Sequence, residues 1–255
     1  MPLISIVTPV HAGGDDFLRE AYDSLRTQDL PSGWEWEWVV QEDGQTGRLF
    51  SDLPPDPRVS VGVGRRGGAA MARTMALARV RGVLVRGLDA DDLLPVGALW
   101  RAVRTLVDHR DVGWCVSACL DLLPDGSMHP GPHDPPAGRL TSGVMAAGYQ
   151  AGRFPVVGTT LTTYTDLVHT VGGWPAVPAS EDVALLLACE AVASGWMIDE
   201  PGAIYRKHPK QVTAQPAHWD RTERTALDAV LLSRLEALQR TKWRWSPKTF
   251  SQQLK

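Results

Sequence analysis

The chain contains little cysteine, because only Cys115, Cys119 and Cys189 occur among its 255 residues. An odd, small number of cysteines without repeated spacing argues against a disulfide framework and against a zinc cluster. We expect reduced, mostly buried thiols instead. Internal repeats and low-complexity linkers are also lacking, which argues against a repeat array or a disordered spacer.

Neither a strong charge of one sign nor a long apolar run is present. The 26 basic and 29 acidic residues leave a net charge of −3, so composition predicts no nucleic-acid partner. The chain begins Met-Pro-Leu-Ile-Ser-Ile-Val without a basic leader, and no stretch approaches the ~20 apolar residues that span a bilayer. These features predict a cytoplasmic protein without a signal peptide or transmembrane helix.

What the first part of the chain does contain is a regular alternation of strands and helices. Apolar strands are predicted over residues 4–9, 34–40, 59–63 and 83–88. A helix capped by Asp15 or Asp16 separates the first two strands, and a helix over residues 69–80 precedes the fourth. This order predicts an α/β fold with a mostly parallel sheet that helices cover on both faces.

The middle of the chain continues the alternation less regularly. A helix is predicted over residues 96–109 and a strand over 112–122. Residues 124–138 are rich in proline, glycine, aspartate and histidine and are predicted to form a long loop. Residues 156–164 are a further strand candidate.

Two helices are predicted toward the end of the chain. Ser180 is expected to cap a helix that continues through Ala193. A second, amphipathic helix over residues 219–239 carries its apolar residues on one side, namely Leu227, Val230, Leu231, Leu235 and Leu238. The simplest organisation is one domain, residues 1–213, followed by a C-terminal amphipathic helix and a basic, Trp-containing tail, residues 214–255.

The acidic run Asp89-Ala90-Asp91-Asp92 directly follows a predicted strand, where open α/β sheets place their ligand crevice. Three carboxylates in four residues repel one another and need a cation or basic neighbours. Mg²⁺ and Mn²⁺ accept a few carboxylate oxygens and complete their coordination with water and phosphate. The alternative is a solvated acidic turn in which Asp92 caps a helix.

Other candidate residues stand at the ends of predicted elements. Asp43 follows a strand and is suited to a base or ribose hydroxyl, although Asp43-Gly44 also favours a simple turn. Glu181-Asp182 opens a helix and offers a general base, or only charges that favour the helix dipole. His208 is a candidate metal ligand, and the neighbouring cations Arg206, Lys207 and Lys210 are candidates for neutralising a diphosphate.

In their order along the chain, these pieces resemble the family 2 glycosyltransferases. The matching segments run from residue 3 to about residue 213 and are Ile6-Val7-Thr8-Pro9-Val10-His11, Val39-Val40-Gln41-Glu42-Asp43-Gly44, Gly68-Ala69-Ala70-Met71-Ala72-Arg73, Leu88-Asp89-Ala90-Asp91-Asp92, Val171-Gly172-Gly173-Trp174, Glu181-Asp182 and Tyr205-Arg206-Lys207-His208. The resemblance implies the GT-A fold, a three-layer αβα sandwich, and sugar transfer from a UDP-, GDP- or dTDP-sugar with inversion at the anomeric carbon.

The resemblance also implies a role for each candidate. Asp182 would be the catalytic base with Glu181 beside it, Asp91 and His208 would bind Mn²⁺ or Mg²⁺, and Gly158 would lie in the loop facing the donor sugar. The nucleotide would be bound by Pro9, His11, Asp43, Arg73 and Asp89. Ala12, Gln45 and Thr74 depart from the family pattern and obscure which nucleotide is used.

Three matters stay open from the sequence. The acceptor is unknown. A sugar nucleotidyltransferase would be expected to carry a basic residue soon after the first strand, where this chain has Ala12-Gly13-Gly14-Asp15, and a non-catalytic nucleotide-binding module is the third alternative. Trp243 and Trp245, among basic residues, suit contact with a membrane surface or a partner, or packing on the parent domain.

Overall fold

A nine-stranded sheet organises the protein, whose computed structural model describes residues 1–12, 16–131, 134–214 and 220–247. The strand order is β3-β2-β1-β4-β8-β5-β9-β7, with β6 paired to β5. The strands are β1 (Leu3–His11), β2 (Glu35–Asp43), β3 (Val59–Val63), β4 (Leu84–Gly87), β5 (Val112–Leu122), β6 (Met128–Pro130), β7 (Gly138–Arg139), β8 (Thr162–Tyr164) and β9 (Ser194–Arg206).

The helices alternate with the strands in the first part of the chain and dominate the last. They are α1 (Leu18–Arg26), α2 (Leu49–Asp52), α3 (Ala69–Ala76), α4 (Ala98–Asp108), α5 (Val144–Gln150), α6 (Thr165–Thr170), α7 (Glu181–Val192) and α8 (Arg221–Arg240). No helix in the described ranges is long and apolar enough to cross a membrane.

Pairing within the sheet is mostly parallel, as the sequence predicts. Strands β2 and β3, β2 and β1, β1 and β4, and β5 and β9 run parallel. The short strand β8 is antiparallel to both β4 and β5, and it joins the two parallel groups. The predicted α/β class is therefore confirmed.

Helices cover both faces of this sheet. Because successive side chains of a strand point to opposite faces, each helical layer contacts a different set of side chains. On one face Tyr22 of α1 stacks on Trp38 with 5.8 Å between ring centroids. On the other face the buried Glu37 accepts hydrogen bonds from Ser5 and Arg81, close to the end of α3. Trp38 therefore faces the layer that contains α1, and its neighbour Glu37 faces the opposite layer.

Several local predictions were wrong. Phe17, and not Asp16, precedes α1 at the cap position. Asp15 lies outside the described residues, as does Trp219 at the predicted start of α8, so the structure does not test these two residues. Residues 156–164 include a 3₁₀ turn, Gly158–Thr160, before the short strand β8. The predicted loop over 124–138 contains β6, and Val230 is 55% exposed instead of facing the core.

Candidate active site

The predicted site residues follow strands that end at one edge of the sheet. His11 and Asp43, the last residues of β1 and β2, are paired in register. The backbone amide of Leu88 continues the ladder from β4 by donating to Val7 O at 3.0 Å, and Asp89 follows directly. Since β2 and β4 flank β1 on opposite sides, the strand order reverses here, which is where open α/β sheets form a ligand crevice.

Asp43 organises the loop between β3 and α3. Its buried carboxylate accepts hydrogen bonds from the backbone amides of Gly67 at 2.6 Å and Gly68 at 3.0 Å. In the same loop Arg66, which sequence reasoning did not single out, lies 3.1 Å from Nε2 of the exposed His11. Asp43 therefore shapes the rim of the crevice, and contact of Pro9, His11 or Asp43 with a nucleoside stays a prediction.

Arg73 joins two predicted motifs that are distant in sequence. Its buried guanidinium forms ion pairs with Asp89, 16 residues away, and with Glu181, 108 residues away. This arginine supplies the basic neighbour that the acidic run requires. Side chains predicted separately as nucleotide-binding and catalytic therefore share one cluster around the buried Arg73.

Asp91 and His208 form a second pair at the same edge. Asp91 Oδ2 lies 2.8 Å from His208 Nε2. The imidazole also packs against the ring of Phe17, with 5.2 Å between centroids, a contact for which the sequence carried no signal. Within the described ranges no group of three or more His, Cys, Asp or Glu side chains is arranged to hold a metal ion. A cation held by Asp91 and His208 would need further ligands from water or a bound phosphate.

The suggestion that Asp92 caps a helix is wrong. Its side chain is fully buried and accepts a hydrogen bond at 3.0 Å from the backbone amide of Arg206, while Gly97 precedes α4. Burial raises the pKa of the Asp92 carboxyl well above its usual range, and repulsion from Asp89 and Asp91 acts in the same direction. Asp92 thus connects the acidic run to the end of β9.

The cations near His208 already have partners on the protein. Arg206 donates to Asp91 O at 2.9 Å and to Glu20 at 2.6 Å, and its guanidinium lies 4.1 Å from the Phe17 ring centroid. Lys207 pairs with Asp121 at 3.2 Å, and the exposed Lys210 pairs with Asp16 at 3.3 Å. The contribution of these residues to phosphate neutralisation stays a prediction, and Arg206 has a positional role that the sequence did not reveal.

Asp182 faces a small recess between α7 and the turn that carries Gly158. Arg73, Trp174 and Thr159 also line this recess. Removal of water around its carboxyl raises the pKa of Asp182; attraction to Arg73 opposes that change, and repulsion from Asp89 adds to it. A carboxyl group whose pKa is raised is better matched to proton abstraction near neutrality. The net change in the pKa of Asp182 is upward, because desolvation outweighs the attraction to Arg73, and its role as a base stays a prediction.

Gly158 allows Asp182 to occupy this position. A Cβ atom added at Gly158 would lie 1.8 Å from Asp182 Oδ2. We expect Gly158→Ala to displace the carboxylate or the turn and to lower the unfolding free energy by about 1–3 kcal/mol, the usual cost of overpacking. Thermal and urea unfolding would measure the loss. Gly87→Ala is the matched control, because its added Cβ meets no atom within 4 Å in the same recess, and an equal loss in both variants would contradict the expectation.

Comparison with protein families identifies one match. The model of "Glycosyl transferase family 2" matches residues 5–136. An O-antigen biosynthesis protein, RfbC of Myxococcus xanthus, is 35% identical over 104 residues, which are 38% of this chain and 8% of that protein. Protein y4gI of Sinorhizobium fredii is 34% identical over 116 residues, which are 43% of this chain and 12% of that protein. The chain thus spans only a small part of the length of these relatives.

The fold is similar to solved structures of S. aureus TarS. A crystal structure of TarS 1–349 superposes with a TM-score of 0.68 at 16% identity, covering 92% of this chain and 65% of that chain. The crystal structure of TarS 1–349 in complex with UDP-GlcNAc gives a TM-score of 0.70 at 16% identity, covering 94% and 70%. At this identity the likeness concerns the fold, and it agrees with the GT-A architecture expected from the sequence.

Proposed function

Because the chain belongs to glycosyl transferase family 2, we propose that it transfers a sugar from a nucleoside-diphosphate sugar to an acceptor hydroxyl or amine, with inversion at the anomeric carbon. The observation that carries this proposal is the Arg73 cluster. Arg73 ties Asp89, at the end of a central strand, to Glu181, the neighbour of Asp182. The proposed donor-binding carboxylate and the neighbour of the candidate base are thereby paired with the same arginine at the crevice.

Asp182 acts in this mechanism as the general base. It accepts the proton of the acceptor while the acceptor atom forms a bond to the anomeric carbon. The bond from that carbon to the diphosphate oxygen breaks in the same displacement, and the nucleoside diphosphate leaves with the electron pair. A raised pKa suits Asp182 to this step, and no covalent intermediate with the protein is needed.

The side chains of Asp91 and His208 suit a divalent cation. One carboxylate and one imidazole, 2.8 Å apart, are ligands that Mn²⁺ accepts, and Mg²⁺ is commonly held by one or two protein carboxylates with substrate phosphates. Such an ion, when bound, offsets the charge of the leaving diphosphate. Phe17 and Arg206 would keep the two ligands in place through the contacts described above.

The nucleoside would occupy the rim built by β1 and β2. In this proposal Pro9, His11 and Asp43 line the base and ribose, and Asp89 and Arg73 lie between the ribose and the donor sugar near Gly158. UDP-GlcNAc is the first donor to test, since TarS, with a similar fold, has been solved with UDP and with UDP-GlcNAc.

The test of this function is a donor screen with the purified chain. We expect release of nucleoside diphosphate from at least one UDP-, GDP- or dTDP-sugar, faster with Mn²⁺ or Mg²⁺ than with EDTA. Release of pyrophosphate from a sugar 1-phosphate and a nucleoside triphosphate would instead indicate a nucleotidyltransferase. Binding without any turnover, with sugar acceptors present, would favour a non-catalytic module.

Substitution of Asp91 tests whether nucleotide binding depends on a cation at the proposed site. We expect Asp91→Ala to weaken UDP binding in the presence of Mn²⁺ by about ten-fold or more, because one of two protein ligands is lost. Isothermal titration with and without Mn²⁺ measures the change, and Asp121→Ala, which removes the carboxylate paired with Lys207, is the control. Unchanged affinity in Asp91→Ala with Mn²⁺ would exclude Asp91 as a ligand.

A further inference from the structure

The C-terminal segment lies along α7, the helix whose first turn carries Glu181 and Asp182. Helix α8 buries Leu227, Leu231 and Leu235, which recur at intervals of four residues and form one stripe. Tyr149 of α5 donates a hydrogen bond to Asp228 of α8 at 2.5 Å. The segment of residues 221–247, called here the α7 brace, is thus fastened to the domain along its length.

One end of the brace supplies hydrogen-bond donors to the last carbonyl groups of α7. The last carbonyls of a helix have no partner within the helix. Arg244 donates to Ala191 O at 3.0 Å, and the backbone amide of Trp245 donates to Val192 O at 2.9 Å. The Trp245 ring is buried against Tyr164, with 5.0 Å between centroids. Trp245 therefore packs on the parent domain, whereas Trp243 is 44% exposed, and contact of the tail with a membrane surface or a partner stays a prediction.

The other end of the brace reaches Ser180, two residues before the candidate base Asp182. Arg224 of α8 lies with Nη1 3.3 Å from Ser180 Oγ. Ser180 has a positive φ of 59°, a left-handed conformation that is unfavourable for residues other than glycine. Ser180 occupies the cap position of α7, as predicted, but its hydroxyl makes no capping bond to the helix. The hydroxyl is directed to a tertiary partner instead of to the helix that it precedes.

The backbone of Ser180 nevertheless begins α7. Its carbonyl accepts the first bond of the helix, from the amide of Ala184 at 2.9 Å. A shift of Ser180 therefore moves the first turn, and with it Asp182 and the Glu181 carboxylate that pairs with Arg73. Because α7 is held at Ala191 and Val192 as well, the helix is fixed at both ends.

We propose that the α7 brace sets the position of the proposed base, with Arg224 and Ser180 as positioning residues for Asp182. The proposal rests on the function proposed above only for its catalytic consequence. A base must lie within hydrogen-bond reach of the proton that it removes, and displacements of about 1 Å are enough to lower rates strongly.

Hydrogen exchange on the full chain tests the brace without any donor. In Arg224→Met and in Ser180→Ala we expect about ten-fold faster exchange of the amides of residues 184–186, with unchanged exchange at residues 188–192. Arg221→Met is the matched control, since Arg221 is an exposed arginine of the same helix. Unchanged exchange at residues 184–186 in Ser180→Ala, or an equal increase in Arg221→Met, would overturn the proposal.

Ser180→Gly distinguishes the effect of losing the hydroxyl from the effect of strain at the positive φ. Glycine adopts a positive φ freely but removes the partner of Arg224. If the contact positions α7, Ser180→Gly should show the same faster exchange as Ser180→Ala; restoration of the wild-type pattern by glycine would overturn the role of the hydroxyl.

Turnover provides the readout of positioning. With the donor found by the screen, kcat should fall about ten-fold in Arg224→Met and Ser180→Ala while the donor KM stays within two-fold. Arg224→Lys should recover part of kcat because it keeps a donor for the hydroxyl. A rise in KM with unchanged kcat would overturn the link to Asp182. If no donor is turned over by the wild type, the proposed function fails, and the exchange experiment still decides the brace.

Discussion

Asp182→Asn should lower the rate of sugar transfer by about 10³-fold, within the range that a positioned general base contributes. Asparagine keeps the size of the side chain but does not accept a proton. Donor affinity should stay within about two-fold, because the base acts on the acceptor and not on the nucleotide. Donor turnover, with water as acceptor where no better acceptor is known, and isothermal titration with the nucleoside diphosphate measure the two quantities.

The dependence of turnover on pH is a second test of Asp182 as the base. Asp182 must be deprotonated to act, and its pKa is raised by desolvation. Wild-type kcat/KM, which reports the groups of the free enzyme, should therefore decline as the pH falls through that raised pKa, at a pH above the ordinary range of an aspartate. Asp182→Asn should lack this acid limb. The exposed Asp199 offers a control, because Asp199→Asn should keep both the rate and the limb.

Two outcomes would remove Asp182 from the base role. One is loss of donor binding in Asp182→Asn that accounts for the whole decrease in rate, which would make the residue a donor ligand. The other is an unchanged rate. In either case Glu181, which belongs to the same turn but is held by Arg73, would be the next candidate.

Arg73→Met should lower the free energy of unfolding by about 3 kcal/mol, the low end of the cost of leaving a buried charge without its partner. The substitution leaves Asp89 and Glu181 facing each other without the cation between them. Side-chain exposure of 34% at Asp89 lets water screen part of that repulsion, which is why the low end is expected. Urea unfolding followed by circular dichroism measures the loss.

A paired substitution distinguishes charge from packing at this site. Adding Glu181→Gln to Arg73→Met should recover part of the lost stability, because one of the two repelling carboxylates is neutralised. No recovery would mean that the arginine contributes by packing alone. On the surface, Arg104→Met, which breaks the exposed pair with Asp108, should cost less than about 1 kcal/mol.

Much of the architecture could be predicted from local patterns. Strand β5 has the bounds that the sequence predicts, and β2 overlaps the strand predicted over residues 34–40, in which Trp34, Trp36 and Trp38 alternate with glutamates. Period-two and helical periodicity reflect which side of an element meets the core, so they are visible in a short window. Element ends are less predictable: Phe17 and not Asp16 precedes α1, and Ser180 precedes α7 as predicted but makes no capping bond with its side chain.

Within the site, the sequence identified the residue types and the tertiary structure decided their partners. Asp89, Asp91 and Asp92 are consecutive or nearly so, but they bind Arg73, His208 and the backbone of Arg206 respectively. None of these pairings follows from spacing, because each joins elements brought together only by the sheet order.

What the sequence determined by itself is the α/β class, the parallel strands of the first half and the placement of acidic residues at strand ends, since these depend on interactions between near neighbours in the chain. Only the tertiary structure decided that Arg73 links the acidic run to Glu181, that Asp92 is an internal support, and that the Ser180 hydroxyl binds Arg224 and not the amides of α7. The physical reason is that a buried polar group must find a partner somewhere, and which partner it finds depends on the packing of distant segments.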